Sequence, residues 1–436
     1  MAMDTIFALS SGKPPGGVAV IRVSGPKSRF VLETICGGVP SARHATLRKM
    51  HFPERKEDVI DEGLCLWFPG PQSFTGEDCA ELQLHGGPAV VRAMLGALSD
   101  LDGLRLAEPG EFSRRAFENG RHDLTEIEGL SDLIAAETEM QRKQAVAQAG
   151  GAFRDKLEEW RERIVRMRAL VETEFDFSEE EDIPGGVEAG VWDEAGTLAG
   201  EMRRKLEDGR RGEIIREGYQ IVLLGPPNAG KSSLLNALAK RDVAIVTEEA
   251  GTTRDLIEVH LDLDGYAVTV IDTAGMRETQ APVEKEGIRR ARLRADKADL
   301  VIWLWPVEDA VLPSEARNIG DEIMVVRSKD DGGKFGSGGI SVKRPDGLSG
   351  LIGELKDRLG SYVGGIEAMI VSRARHREQL TRCAERLEKA SAETELATEL
   401  RTELLRDAGD AIGKITGRIE TEHLLDHIFK EFCIGK

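Results

Sequence analysis

The run Gly225-Pro-Pro-Asn-Ala-Gly-Lys231-Ser232 constrains this chain more than any other feature. It fits G-x-x-x-x-G-K-[ST], follows the apolar stretch Gln220–Leu224 and precedes a helical stretch through Leu238. A strand, a glycine-rich turn and a helix in that order wrap backbone N–H groups around phosphate at a helix N-terminus. Lys231 is expected to be an exposed contact to the terminal phosphates, and the Ser232 hydroxyl a magnesium ligand. The loop contacts expected are Asn228, Ala229, Gly230, Lys231, Ser232 and Ser233.

Apolar stretches at Gln220–Leu224, Leu256–Leu263, Tyr266–Ile271, Leu300–Trp305 and Ile323–Val326 alternate with helical stretches, the α/β pattern of a mainly parallel sheet. Asp264 and Gly265 join the second and third as a two-residue hairpin, which makes one edge strand antiparallel. Three further elements follow in the order of a G protein. Gly251-Thr-Thr-Arg-Asp255 offers Thr253 as a second magnesium hydroxyl once a γ-phosphate is present. Asp272-Thr-Ala-Gly275 ends a strand, so Asp272 can hold a magnesium-bound water while the Gly275 N–H meets the γ-phosphate. Ser328-Lys329-Asp330-Asp331 stands where G proteins carry N-K-x-D, and an Asp331 carboxylate matches guanine's N1–H and 2-amino donors. Ser341-Val342-Lys343 completes the base pocket. These elements read as a GTPase. Ser328 is expected to lose the tie that asparagine makes to the phosphate loop, and the five glycines within 332–339 are expected to leave the base loop flexible.

At 436 residues the chain is too long for one core, and three domains are expected. From 19 to about 118, short apolar stretches such as Val18–Val23 and Gly63–Phe68 alternate with turns, which indicates a compact α/β domain. Phe153, Leu157, Trp160, Ile164, Met167 and Val171 recur at spacings of four and three, one helix stripe read as core packing and not as a cofactor box. Leu380, Cys383 and Leu387, then Leu396, Leu400, Leu404 and Ile412, return to helical spacing after the G-type segment. The expected fold is therefore multidomain α/β plus all-α: an N-terminal α/β domain at 1–119, a helical domain at 120–215, an inserted Ras-like P-loop G domain at 216–370 and the second helical part at 371–436.

Acidic residues outnumber basic ones 77 to 59, and a net charge of −18 is the wrong sign for a protein held to nucleic acid by its overall field, so any RNA contact must be a local patch. No run approaches the ~20 apolar residues of a membrane span, and Met1–Ser10 shows no secretory leader, so a cytoplasmic location is expected. The five cysteines include no C-x-x-C pair and read as reduced thiols. The acidic run Glu179–Asp182 reads as a solvated helix end.

The loop sequence Pro-Asn-Ala-Gly-Lys-Ser-Ser-Leu-Leu-Asn, the G-T-T-R-D segment and the tail Phe432-Cys433-Ile434-Gly435-Lys436 resemble the MnmE (TrmE) family of bacterial tRNA-modification GTPases. Phe74-Thr-Gly-Glu-Asp78, His85-Gly-Gly-Pro88 and Pro109-Gly-Glu-Phe112 extend the resemblance over the whole chain. It implies a homodimer whose N-terminal domain binds 5-formyl- or methylene-tetrahydrofolate through Arg22, Glu81, Arg121 and Lys436. A carboxylate suits the pterin's amino and ring N–H edge, and the cations suit the anionic glutamate tail, although singly each residue would read as a surface ion pair. The resemblance further implies a complex with the flavoprotein MnmG, which brings FAD, and an aminomethyl or carboxymethylaminomethyl group installed at carbon 5 of the tRNA wobble uridine. It implies that Cys433 lies at the modification site, where a packed helix-end thiol is the equal alternative. His85 reads as a turn-stabilising imidazole in preference to a catalytic one.

Met276 stands where Ras-like proteins place the glutamine that orients water, and no arginine finger is identifiable. A monovalent cation is the natural substitute. The resemblance assigns potassium to Asn228, Thr247, Glu249 and Thr252, and water orientation to Glu284, with Glu286 the competing choice. A rival reading is a regulatory or ribosome-assembly GTPase without modification chemistry, which failure to bind a reduced folate would favour. Another is a folate-dependent methyltransferase with a structural nucleotide site, which GTP turnover would exclude.

Overall fold

The computed structural model describes residues 4–176, 187–245, 258–272, 295–309, 322–361 and 371–419, with 425, 428–430, 432 and 435; side chains at 175, 176, 187–189 and 337 are not included. The acidic run Glu179–Asp182 lies outside the described residues. Contacts divide the chain into two compact units, Met1–Ile127 with Gly413–Lys436, and Glu128–Ile412.

The first unit is built on a six-stranded sheet of β1 (Thr5–Leu9), β2 (Gly16–Ser24), β3 (Thr46–Phe52), β4 (Arg55–Phe68), β5 (Cys79–Gly86) and β6 (Leu104–Leu106), in the order β3-β4-β5-β2-β1-β6. Only β1 and β6 pair in parallel. Side chains alternate faces along a strand, and the apolar set Phe7, Ile21, Val23, Cys65, Trp67, Leu82 and Leu84 falls on one of them. The helices Ser28–Ile35 and Pro88–Ser99 cover that face through Val31, Leu32, Ile35, Met94 and Leu98. Ile6 and Ala8 point the other way, onto Ala107 and Phe112. A separate cluster joins Ile127 and Phe117 to Phe429 and Phe432, and Ser10 Oγ donates to the Gly435 carbonyl at 2.8 Å.

In the second unit the helix Ala152–Asp176 buries the whole expected stripe, from Phe153 through Val171. Leu380, Cys383 and Leu387 are likewise fully buried on the helix Ala374–Ala392. The helix Thr398–Thr416 departs from expectation: Leu400 is 56% exposed, and the buried face is Arg401, Leu405, Ala408, Ala411 and Ile412. Counting leucines misphased that helix, because small alanines pack in its core face and Arg401 turns inward to donate to the Ala390 carbonyl at 2.7 Å. A buried polar cluster ties the start of the helix Ala374–Ala392 to Glu128 and Asp132. His376 Nε2 meets Glu128 Oε2 at 2.9 Å, Arg375 makes two bonds to the same carboxylate at 2.8 and 2.7 Å, and Arg373 reaches Asp132 at 2.7 Å.

The α/β part comprises β7 (Tyr219–Leu224), β8 (Glu258–Leu263), β9 (Tyr266–Asp272), β10 (Leu300–Pro306) and β11 (Ile323–Ser328), ordered β11-β10-β7-β9-β8. All neighbours are parallel except β8 with β9, the hairpin read from Asp264–Gly265. The chain enters and leaves this part side by side, since Arg216 Nε donates to the Ser372 carbonyl at 2.8 Å. Helices precede and follow this part in the chain. Among the described residues no helix is long and apolar enough to cross a membrane.

Candidate active site

Strand order reverses about β7, so the carboxyl ends of β7, β9 and β11 converge on one edge of the sheet, where open α/β sheets bind ligands. The phosphate loop leaves β7 there and runs into the helix Lys231–Leu238. Asn228 occupies the left-handed region at φ 60, which asparagine tolerates better than most side chains, and it is exposed. Ala229 is buried beneath it. Lys231 differs from the expected exposed contact: it is only 9% exposed, and its ammonium donates to the Gly225 and Pro226 carbonyls at 2.8 and 3.1 Å. The loop folds around its own cation, and burial pushes the Lys231 pKa down against the pull of Asp272. Ser232 Oγ donates to Asp272 Oδ2 at 2.6 Å across the end of β9. A hydroxyl and a carboxylate held together beside a phosphate loop are the hard oxygen donors that magnesium takes, so these residues fit that ion. Ser233 follows on the same helix.

The base motif lies at the end of β11. Ser328 is 3% exposed, and among the described residues its hydroxyl has no hydrogen-bond partner. Lys329 is exposed at a left-handed φ of 61. Asp331 accepts Ser341 Oγ and Lys343 Nζ, both at 2.7 Å, and these partners hold its carboxyl below the usual range, Lys343 foremost. The structure thus brings Lys231, Ser232 and Asp272 together on one side and Lys329, Asp331 and Ser341 on the other. The segment 332–339 is not a loose link. It is folded around Asp330, whose role the motif's unspecified third position concealed; an aspartate opening a glycine-rich turn is the signal that could have revealed it. Thr247, Glu249, Thr252, Thr253, Gly275, Met276, Glu284, Glu286, Cys433 and Lys436 lie outside the described residues.

In the first unit Arg22 and Glu81 are cross-strand partners of β2 and β5. Arg22 places both of its bonds, at 3.1 and 3.0 Å, on Glu81 Oε1. Among the described residues nothing donates to Oε2, which suits a ligand with an N–H edge. The Arg22 guanidinium stands 5.0 Å from the centre of the Phe74 ring, which in turn meets His122 at 5.8 Å. Arg121 lies against Gly76 of the same loop. Phe74 was missed as a wall of this group because an isolated phenylalanine carries no signal of stacking. His85 Nδ1 meets Asp61 at 2.9 Å across β4 and β5, a strand-pairing role.

A doubly wound sheet with this loop, a Ser–Asp pair that fits magnesium and an aspartate at the base position defines a P-loop GTPase. Residues 124–433 match the MnmE helical domain, and residues 5–121 match the GTP-binding protein TrmE N-terminus. The chain belongs to the MnmE (TrmE) family of tRNA modification GTPases. A tRNA modification GTPase MnmE from Rhizobium johnstonii is 49% identical over 440 residues and covers 100% of both chains. Its counterpart from Brucella melitensis biotype 1 is 51% identical over 437 residues, 99% of this chain and 98% of that protein. Among solved structures, the G domain of the T. maritima FeoB iron transporter aligns at 24% identity with a TM-score of 0.23, over 33% of this chain and 98% of that one.

Proposed function

We propose that this chain hydrolyses GTP to control the installation of an aminomethyl or carboxymethylaminomethyl group at carbon 5 of the tRNA wobble uridine, using a one-carbon unit from a reduced folate. The contact of Ser232 with Asp272 beside Lys231 carries the hydrolytic half, in a chain whose full-length relatives are named for tRNA modification. Lys231 turns from the loop carbonyls to the terminal phosphates, and Ser232 and Asp272 would hold magnesium. That ion would withdraw charge from the phosphates as the bond to the leaving group lengthens. Asn228, with Thr247, Glu249 and Thr252, binds potassium in place of an arginine finger, and Glu284 orients the attacking water. Arg22, Glu81, Arg121 and Lys436 hold the folate, and Cys433 takes part at the modification site. The working form is a cytoplasmic homodimer, divided at 1–119, 120–215, 216–370 and 371–436, joined by a flavoprotein that carries FAD. The open Oε2 of Glu81 and the Arg22–Phe74 stack support the folate part.

Mass spectrometry of wobble uridines from cells lacking this chain tests the reading. Loss of the aminomethyl-type modification is expected; an unchanged uridine profile overturns it. For the cation, GTP turnover is expected to rise several-fold when potassium replaces sodium, and Glu284→Ala to lose on the order of 10² in rate while still binding GTP.

A further inference from the structure

The base loop encloses a carboxylate to which neither the GTPase motif nor the family assigns a role. Asp330 is 2% exposed. Its Oδ1 accepts the Lys334 N–H at 2.8 Å and its Oδ2 the Phe335 N–H at 3.0 Å. Its own N–H donates to the Ile340 carbonyl at 2.9 Å, and its carbonyl accepts the Gly333 N–H at 3.1 Å. Ile340 in turn donates to the Arg327 carbonyl at 2.7 Å, which adds the end of the loop to the edge of β11. A Cβ at Gly339 would collide with the Asp330 carboxylate, so only glycine lets the backbone pass there. The Arg327 guanidinium lies 3.2 Å from the centre of the Trp305 ring and 5.1 Å from that of Phe335, and so closes the loop against the sheet.

One charged group thus organises the segment that delivers Ser341, and Ser341 fixes Asp331 by a 2.7 Å bond. Next to it, the buried Ser328 hydroxyl has no hydrogen-bond partner among the described residues. Reading guanine through two N–H groups requires the Asp331 carboxylate to sit within about 0.5 Å of its place. We propose that Asp330 is the positioning residue for guanine specificity: it folds the 332–340 loop that holds Asp331, a task the Ser328 side chain does not perform. Hydrogen bonds from backbone N–H groups to an ionised carboxylate are among the stronger ones, and losing both removes the contacts that hold Lys334 and Phe335 of the loop to Asp330.

The test uses the full-length chain and titration calorimetry with GDP and with IDP, which lacks the 2-amino group. Asp330→Ala is expected to raise the Kd for GDP by about tenfold or more and that for IDP by less, so that the preference for GDP falls at least about threefold. The kcat at saturating GTP should stay within about twofold of the parent, because no reacting atom is touched. Asp330→Asn keeps one acceptor oxygen, is the milder change, and should fall between the two. A preference for GDP that stays at the parent value in either folded variant overturns the proposal, even if the melting temperature drops, since a merely structural residue would weaken both nucleotides alike. Should Asp330→Ala fail to fold, the Asp330→Asn preference decides alone.

Discussion

Lys231 pays for its burial with bonds to two loop carbonyls, which phosphate oxygens can replace without moving the backbone. Lys231→Ala is therefore expected to weaken GTP binding or turnover by on the order of 10²-fold, the scale of losing one preorganised charge contact. Its melting temperature should shift by no more than about 2–4 °C, because the freed carbonyls can turn to solvent. Nucleotide titration and thermal scanning of the same preparation check both; full turnover would remove Lys231 from the site. Single residues are legible in sequence when fixed spacing ties them to a chemistry, as with Lys231, Ser232, Asp272 and Asp331. Ser328 was legible only as a shorter side chain; among the described residues its hydroxyl has no hydrogen-bond partner. Asp330 and Phe74 were not, since their roles come from backbone donors and ring faces that only folding assembles.

Helices test the same point through their faces. The stripe from Phe153 to Val171 was legible because large side chains at strict spacing can only be core. In the helix Thr398–Thr416 the buried face is marked by alanines and an inward arginine, and leucine spacing points to the wrong side. Leu400→Glu is expected to change stability by less than about 0.5 kcal/mol, whereas Leu405→Ala should cost about 2–4 kcal/mol. Denaturant titration separates them, and a costly Leu400→Glu would restore the leucine phase. The polar cluster on the neighbouring helices gives a pH signature. Burial pushes the His376 pKa down to about 4, against the pull of Glu128, so the folded protein refuses a proton that the unfolded chain accepts below its ordinary 6.5. Stability is full above that pH and is lost as pH falls through 6.5 toward 4. By pH 5 the loss from this residue is about 2 kcal/mol, and His376→Gln should lack that component. Denaturation followed by helical signal at pH 7 and pH 5 measures it; equal losses in both chains would assign the acid sensitivity elsewhere.

Along the sequence the chain is nested: the α/β part falls within Glu128–Ile412, and that range is flanked in sequence by the two parts of the first unit. That helices stand in the chain on both sides of the α/β part was legible from helical spacing. The return of residues 413–436 to the first unit was not, because among the described residues its seam includes aromatic contacts of Phe429 and Phe432 and the Ser10–Gly435 hydrogen bond, which carry no sequence pattern. Gly435 sits at φ 98, and a side chain there would collide with the Leu9 carbonyl. Gly435→Ala is expected to speed release of the last residues by carboxypeptidase about tenfold or more, with GTP turnover within about twofold of the parent. A tail equally resistant in both chains would mean that this contact does not hold it. The nesting also sets a timetable. A ribosome adds about 5–20 residues per second, so roughly 15–60 s separate the emergence of Ile127 from that of its partner Phe429. Throughout that interval Phe117 and Ile127 wait without the aromatic side chains that cover them, and a chain broken off before Phe429 never covers them.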